Sequence, residues 1–314
     1  MEDVKAQLAL LTRVVTDLQK VVLELKAEIS ALRSQSSLPK AVEPLKAVET
    51  PPATATSGPE IPDEPWTDAE AKTQAPCGST GNQLVKTPKI VAETDLTSRE
   101  KVELFAGLFA GRSDVYATRW ASRTDAQKSG YSPKCTMRYT EGCSLKCHLC
   151  PHRAYEKVTA GTYYSHLKGD IVMGVYPLMT DNTCRFAVLD FDDSDWERDG
   201  KAVIKTARKH GIPLVPEISR SACGVHLWLF LSVPMQAAVV RRVLERLIAL
   251  TIADMGLLKL DSFDRIIPCQ DELPRGNSSI GNLVALPMQL EAKARGGSVF
   301  VDDDLNIIER PWRH

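Results

Sequence analysis

The sequence contains no run approaching the roughly 20 consecutive apolar residues that a bilayer-spanning helix requires, which excludes an ordinary helical membrane span. Its amino terminus is an acidic amphipathic run, so a secretory signal is excluded as well. These two absences lead to the expectation of a soluble, cytoplasmic protein. A dominant charge is also missing: 39 Lys and Arg stand against 40 Asp and Glu, a net charge of -1. The balance hides an asymmetry, because residues 41–75 hold seven acidic and two basic side chains. The remainder is mildly basic, which permits nucleic-acid binding without implying it. Eight cysteines are too few to staple 314 residues, but four of them fall between 135 and 150, a crowding that suits a metal site in a reducing compartment.

What the chain does have divides it in three. Over residues 1–34 apolar side chains recur in a heptad, with Leu8, Val15, Val22 and Ile29 at a and Val4, Leu11, Leu18, Leu25 and Leu32 at d. Mostly β-branched a positions with Leu at d favour a parallel two-stranded coiled coil, and residues 4–32 are expected to join chains into a homo-oligomer. Apolar Val14 and Val21 at g widen the seam enough for a trimer or tetramer. Residues 35–94 carry eight prolines between Pro39 and Pro76 and no apolar period, the composition of an extended, flexible linker. From residue 95 onward the pattern is that of a folded domain. Thr97 and Glu100 have the spacing of a capping box ahead of an apolar helix. Strands are expected over 171–176, 185–191, 213–218 and 225–232 and near 258–261, 282–286 and 298–301, with helices over 195–210 and 235–255. Alternating helices and strands predict an α/β or α+β domain built on a mixed sheet.

Three strand ends carry the chemistry. In RFAVLDFDDSDW (185–196) an apolar strand runs into Asp190 and Asp192, which are two apart and so leave one face of the sheet. Adjacent like charges need a counter-charge, and hard oxygen ligands suit Mg²⁺ or Mn²⁺. Asp193 points to the other face or into the following loop. In EISRSACGVHLWLFL (217–231) two apolar strands meet at a turn of small residues holding Ser219, Arg220, Ser221, Gly224 and His226, donors suited to phosphate oxygens. In LKLDSFDRIIPCQD (258–271) Asp261 ends a short apolar strand, with Asp264 and Arg265 close by.

The cysteines Cys135, Cys143, Cys147 and Cys150 are spaced C-x7-C-x3-C-x2-C, and four thiolates complete a tetrahedral Zn²⁺ shell, predicting a zinc knuckle over about 131–155. His148 or His152 can replace one thiolate. Lys134, Arg138, Lys146, His152 and Arg153 around it can track a nucleic-acid backbone, and a purely structural zinc is an equal reading.

The ordered trio of paired acids, Ser with His, and a single acid resembles the catalytic signature of the archaeo-eukaryotic primase superfamily. Further segments, among them LFAGLFAGRSDVYATRW, KSGYSPKC, LDSFDRIIPCQDELPRG and GNLVALPMQ, resemble the primase domain of TOTE conflict systems and CRISPR-associated primase-polymerases over about residues 98–314. The resemblance implies that Asp190, Asp192 and Asp261 hold catalytic Mg²⁺ or Mn²⁺, that Ser221 and His226 contact the triphosphate of an incoming NTP or dNTP, and that Arg265 and Lys168 contact phosphate or template. It implies a template-dependent nucleotidyltransferase acting on single-stranded DNA or RNA, with any helicase or nuclease activity supplied by a partner. Relatives carry Gly-Asn where this chain has Ala222 and Cys223, which argues against a positive φ at position 222. Two other function classes fit the same residues: a non-catalytic nucleic-acid-binding subunit and a metal-dependent nuclease, either one serving a mobile element or defence system.

Overall fold

The computed structural model describes residues 61, 96–125, 128–141, 143, 150, 152–273 and 280–313. The heptad segment, almost all of the proline-rich linker, and Cys147, Lys146 and His148 lie outside the described residues. The helix α1 (Ser98–Leu108) starts at the predicted capping box: Thr97 N donates to Glu100 Oε2 at 2.7 Å and Glu100 N returns a bond to Thr97 Oγ1 at 3.3 Å. Two otherwise unpaired N–H groups at the helix start are thereby satisfied.

Then follow β1 (Ala117–Ala121), β2 (Ser129–Pro133), α2 (Ala160–Lys168), β3 (Met173–Val175), β4 (Thr183–Asp192), α3 (Trp196–Lys209), β5 (Leu214–Ile218), β6 (Gly224–Gln236), α4 (Ala237–Met255), β7 (Phe263–Ile267), β8 (Val284–Ala285), α5 (Leu290–Lys293) and β9 (Val299–Phe300). The strands form a four-stranded sheet, β2-β1-β3-β8, and a five-stranded sheet, β7-β4-β6-β5-β9. No helix among the described residues is long and apolar enough to cross a membrane.

The expected mixed sheet is corrected: every strand pairing described is antiparallel. Strand β4, helix α3 and strand β5 do form a crossover with both strands running the same way. The chain then doubles back at the 219–224 turn, and β6 inserts between them, antiparallel to each. A second correction concerns residues 258–261, which form no strand. Leu258 there is 99% exposed, and the strand runs instead through Phe263–Ile267.

Strand periodicity assigns the two faces of the five-stranded sheet. Ala187, Leu189 and Phe191 of β4 join Leu227 and Leu229 of β6 in a core closed by Val203, Ile204 and Ala207 of α3 and Val240, Leu244 and Leu247 of α4. On the opposite face Phe186, Val188 and Trp228 pack with Phe105 and Phe109 of α1, Tyr163 and Leu167 of α2, and Met173 and Val175 of the other sheet. Trp228 is fully buried, edge-on to Phe109 at 4.9 Å between ring centroids. Each large side chain buried this way contributes about 1.5–3 kcal/mol. This aromatic floor matters to function, because the same strand faces continue directly into the charged residues.

Candidate active site

Along β4 the even positions share one face, so the row Phe186, Val188 leads to Asp190 and Asp192. Along β6 the same face carries Phe230, Trp228 and then His226. Antiparallel register sets Asp190 opposite His226 and opposite Arg265, and sets His226 opposite Glu217. One line of side chains thus crosses four adjacent strands in the order Arg265, Asp190, His226, Glu217. The row below it is Ile267, Val188, Trp228, Val215, all apolar. A low-polarity floor strengthens electrostatic interactions among the groups that stand on it.

Asp190, Asp192 and Asp264 each offer a carboxylate oxygen, and the three atoms lie within 4.8 Å of one another. The third acid brought into the cluster is therefore Asp264 and not Asp261. The register of β7 against β4 slips between Asp190 and Phe191, which pair with Arg265 and Phe263. Asp264 is the additional residue of that bulge, and a bulge re-aims the side chain it carries. Asp261 precedes the strand, is exposed, and is held by Lys259 Nζ at 2.7 Å, a bond that keeps its carboxyl below the usual range. Asp193, beyond the end of β4 with φ 67°, stands exposed and outside the cluster, as expected from its parity.

Two of the three acids face a cationic side chain, Asp264 facing Arg265 and Asp190 facing His226. Asp190 Oδ1 is buried and receives no short hydrogen bond. Burial, followed by repulsion from Asp190, raises the Asp192 carboxyl above its ordinary value. Arg265 Nε approaches Asp264 Oδ2 at 2.5 Å, and this bond outweighs the opposing effect of burial to raise the arginine further. His226 lies with Nε2 3.4 Å from Asp190 Oδ1 and Nδ1 2.7 Å from Glu217 Oε2. Burial alone would lower its proton affinity, but the Glu217 charge and the bonds to Asp190 and Glu217 prevail and raise it to about 10. The two carboxylates thus favour the protonated ring. Glu217 is buried and also accepts Trp228 Nε1–H at 3.0 Å, so it is fixed from two sides. Three carboxylate oxygens gathered within 4.8 Å, one of them buried, fit a hard divalent cation.

The turn that follows β5 closes the site. Ser219 N donates to Gly224 O at 2.9 Å, and the Ser219 and Ser221 hydroxyls are 3.0 Å apart. Ala222 adopts φ 60°, so the left-handed conformation that its side chain argues against is nevertheless present. Gly224 pairs with Asp192, and a Cβ there would collide with Asp192 Oδ1 and Phe191 O and stand 3.3 Å from Ser219 Oγ. Only glycine permits this approach of the turn to the carboxylate. On the other side, Asp192 N donates to Ser262 O at 2.9 Å, and Ser262 Oγ donates to the fully buried Asp199 Oδ2 at 2.8 Å. That chain of bonds ties helix α3 to the segment bearing Asp264.

The structure thus gathers Asp190, Asp192, Asp264, Arg265 and His226, with Ser221 exposed on the adjoining turn. Lys168, at the end of α2, instead pairs with Asp170 at 3.6 Å. Cys135, Cys143 and Cys150 are partly buried, and Ala154 N donates to Cys135 Sγ at 3.3 Å, but Cys147 is outside the described residues and the four-thiolate set is not described as a whole. Glu217 was absent from the sequence expectation of roles, and Gly224 was expected as part of the small-residue turn but not as a neighbour of Asp192. The signal for Glu217 was a lone acid at an inward strand position two after Val215.

A family model described as the TOTE conflict system, Archaeo-Eukaryotic Primase domain, matches residues 100–314. The chain belongs to that family. The matched span of this TOTE primase domain includes every residue of the cluster and leaves out the heptad segment and linker. No curated protein matches by sequence. Among solved structures, the polymerase domain from Mycobacterium tuberculosis Ligase D in complex with DNA aligns with 16% identity and a TM-score of 0.38, covering 60% of this chain and 73% of that one.

Proposed function

We propose that the TOTE primase domain is a metal-dependent nucleotidyltransferase that makes or extends primers on a single-stranded DNA or RNA template from NTPs or dNTPs. The observation that carries this reading is the three-carboxylate cluster Asp190, Asp192 and Asp264, whose oxygens lie within 4.8 Å of one another, standing beside His226 and a small-residue turn. Asp190, Asp192 and Asp264 would hold Mg²⁺ or Mn²⁺, which when bound lowers the pKa of an attacking 3′-hydroxyl and neutralises phosphate charge. The 3′-oxygen forms its bond to the α-phosphorus, the bond to pyrophosphate breaks, and the hydroxyl proton leaves to solvent. His226, oriented through Nδ1 by Glu217, donates from Nε2 to phosphate oxygens as their charge grows, and Arg265 and Ser221 offer further donors. Cys135, Cys143, Cys147 and Cys150 would hold Zn²⁺, which would brace the neighbouring segment. Residues 4–32 assemble the chains, and a helicase or nuclease acts as a separate partner.

Incubation of the full chain with an unprimed single-stranded template, labelled nucleotides and Mg²⁺ or Mn²⁺ tests the reading. New template-dependent product supports it. Shortened template supports a nuclease instead, and binding without either product supports a non-catalytic subunit; both outcomes overturn the proposal.

A further inference from the structure

Among the described residues, Ile61 is the one that belongs to the proline-rich linker, and it is not held in water. It is partly buried and packs against the core cluster on the α1 side of the five-stranded sheet. It also falls within the compact unit Ser57–His314. The sequence around it is unlike the rest of the linker. In GPEIPDEPW (58–66), Pro59, Pro62 and Pro65 recur every third residue, one polyproline II turn apart. Such a segment is stiff beforehand, so fixing it on a surface costs less entropy than fixing an ordinary linker. Glu60, Asp63 and Glu64 make it acidic.

The cluster that Ile61 joins includes Val102 and Phe105 of α1, with Trp312 at its margin. The Phe105 and Trp312 ring centroids are 6.4 Å apart. Lys101, only 7% exposed, carries its Nζ 5.9 Å from the centre of the Trp312 ring, and Ser98 in the first turn is fully buried. Polar residues at the start of a domain's first helix ordinarily face solvent; here that end of α1 is a covered surface. It is also cationic, with Arg99 beside Lys101. A buried ammonium is stable only where anionic oxygens balance it. We propose that residues 60–66 are a docking segment for the chain's own domain, with Ile61 as the apolar anchor on the edge formed by α1 and Trp312, and the carboxylates of Glu60, Asp63 and Glu64 facing Lys101 and Arg99. The docked segment divides the linker, leaving residues 35–60 as the tether to the heptad segment. The reach of a flexible tether grows as the square root of its length, so the heptad segment is held about a third closer to the domain than the whole of 35–94 would hold it.

The test uses the full chain and a fluorescent peptide of residues 57–68 added in trans, with thermal melts to confirm folding. The peptide should bind the Ile61→Asp chain, and bind the wild type at least tenfold more weakly, because the wild-type surface is already occupied by its own segment. A peptide carrying Ile61→Asp, or Glu60→Gln with Asp63→Asn and Glu64→Gln, should lose about tenfold in affinity, and added salt should weaken the unaltered peptide. Hydrogen exchange at the α1 amides should be about tenfold faster in the Ile61→Asp chain than in the wild type. Equal peptide binding by both chains overturns the proposal, since the surface is then vacant in the wild type. Unchanged α1 exchange in a folded Ile61→Asp chain overturns it as well. Faster exchange without peptide binding reduces Ile61 to ordinary packing and overturns the docking segment. Wild-type α1 protection that falls on dilution assigns the surface to a second copy and overturns docking within one chain. If Ile61→Asp does not fold, the chain carrying Glu60→Gln, Asp63→Asn and Glu64→Gln takes its place, and unchanged α1 exchange there overturns the proposal.

Discussion

Gly224→Ala places a single methyl group where the turn meets the carboxylates, and the structure dictates what must move. The new Cβ overlaps Asp192 Oδ1, which can rotate, and Phe191 O, which is part of the β4 backbone and cannot yield without disturbing the ladder. Overpacking against fixed groups costs about 1–3 kcal/mol. For a domain of this size each kcal/mol lowers Tm by roughly 2–4 °C. The functional effect should be far larger than the loss of stability, because Asp192 is driven off its position beside Asp190, and a misplacement of about 1 Å costs on the order of a hundredfold in rate. The matched control is Gly200→Ala in α3, whose Cβ would stand 2.8 Å from Val225 Cγ1, a side-chain atom on the far face of β6. There the overlap is offset by a gain of about 1 kcal/mol in helix propensity. Thermal melts, Mn²⁺ binding by calorimetry and template-dependent incorporation should be measured on both variants. If Gly224→Ala binds Mn²⁺ and incorporates nucleotide like the wild type, the close approach of turn and carboxylate has no functional meaning and the reasoning fails.

Four further outcomes are expected. Asp192→Ala and Asp264→Ala should each abolish incorporation without loss of stability, since removing one of several crowded acids relieves repulsion, whereas Asp261→Ala and Asp193→Ala should retain activity; inactivity of Asp261→Ala alongside an active Asp264→Ala would reverse the assignment. The buried His166 accepts Met173 N–H on Nδ1 at 3.0 Å and donates to Pro287 O from Nε2 at 2.8 Å, and burial lowers its pKa to about 4. Its folded pKa lies below the ordinary 6.5, so its contribution is complete above pH 6.5 and is lost as pH falls toward 4, by roughly 3 kcal/mol in all; denaturant melts across that range should show a shallower decline for His166→Asn, and parallel curves would refute the assignment. Metal analysis of protein purified without chelators should find about one Zn²⁺ per chain, with Cys147→Ser or Cys150→Ser losing solubility. A peptide of residues 1–34 should be helical and self-associated in sedimentation, and the chain lacking it monomeric; a monomeric peptide at high micromolar concentration would refute the coiled coil.

The parts of the site that were legible in the sequence are those governed by strand parity. Asp190 and Asp192 could be placed on one face, and Asp193 off it, from spacing alone. The capping box at Thr97 and the turn joining β5 to β6 depend on neighbouring residues and were equally accessible. Asp264 was not, because Leu257, Leu258 and Leu260 imitate a strand and drew the third acid to Asp261, while the bulge that re-aims Asp264 depends on pairing with β4. The antiparallel order of the sheet was hidden for the same reason: local periodicity specifies a strand and a face, never a neighbour. Ala222 shows the opposite failure, in which a residue's intrinsic preference is overridden by the turn that contains it.

The cross-strand row Arg265, Asp190, His226, Glu217 also has a consequence for how the chain finds its fold. A slip of one residue between β4 and β6 would put Val225 or Leu227 beside Asp190 and turn His226 toward α3 and α4, leaving Asp190 without the ring that faces it. Apolar strands such as these could pair almost as comfortably in either register if hydrophobic contact alone decided. The charged row removes that ambiguity by making the wrong alignment electrostatically untenable, so the groups assembled for chemistry also proofread the assembly of the sheet.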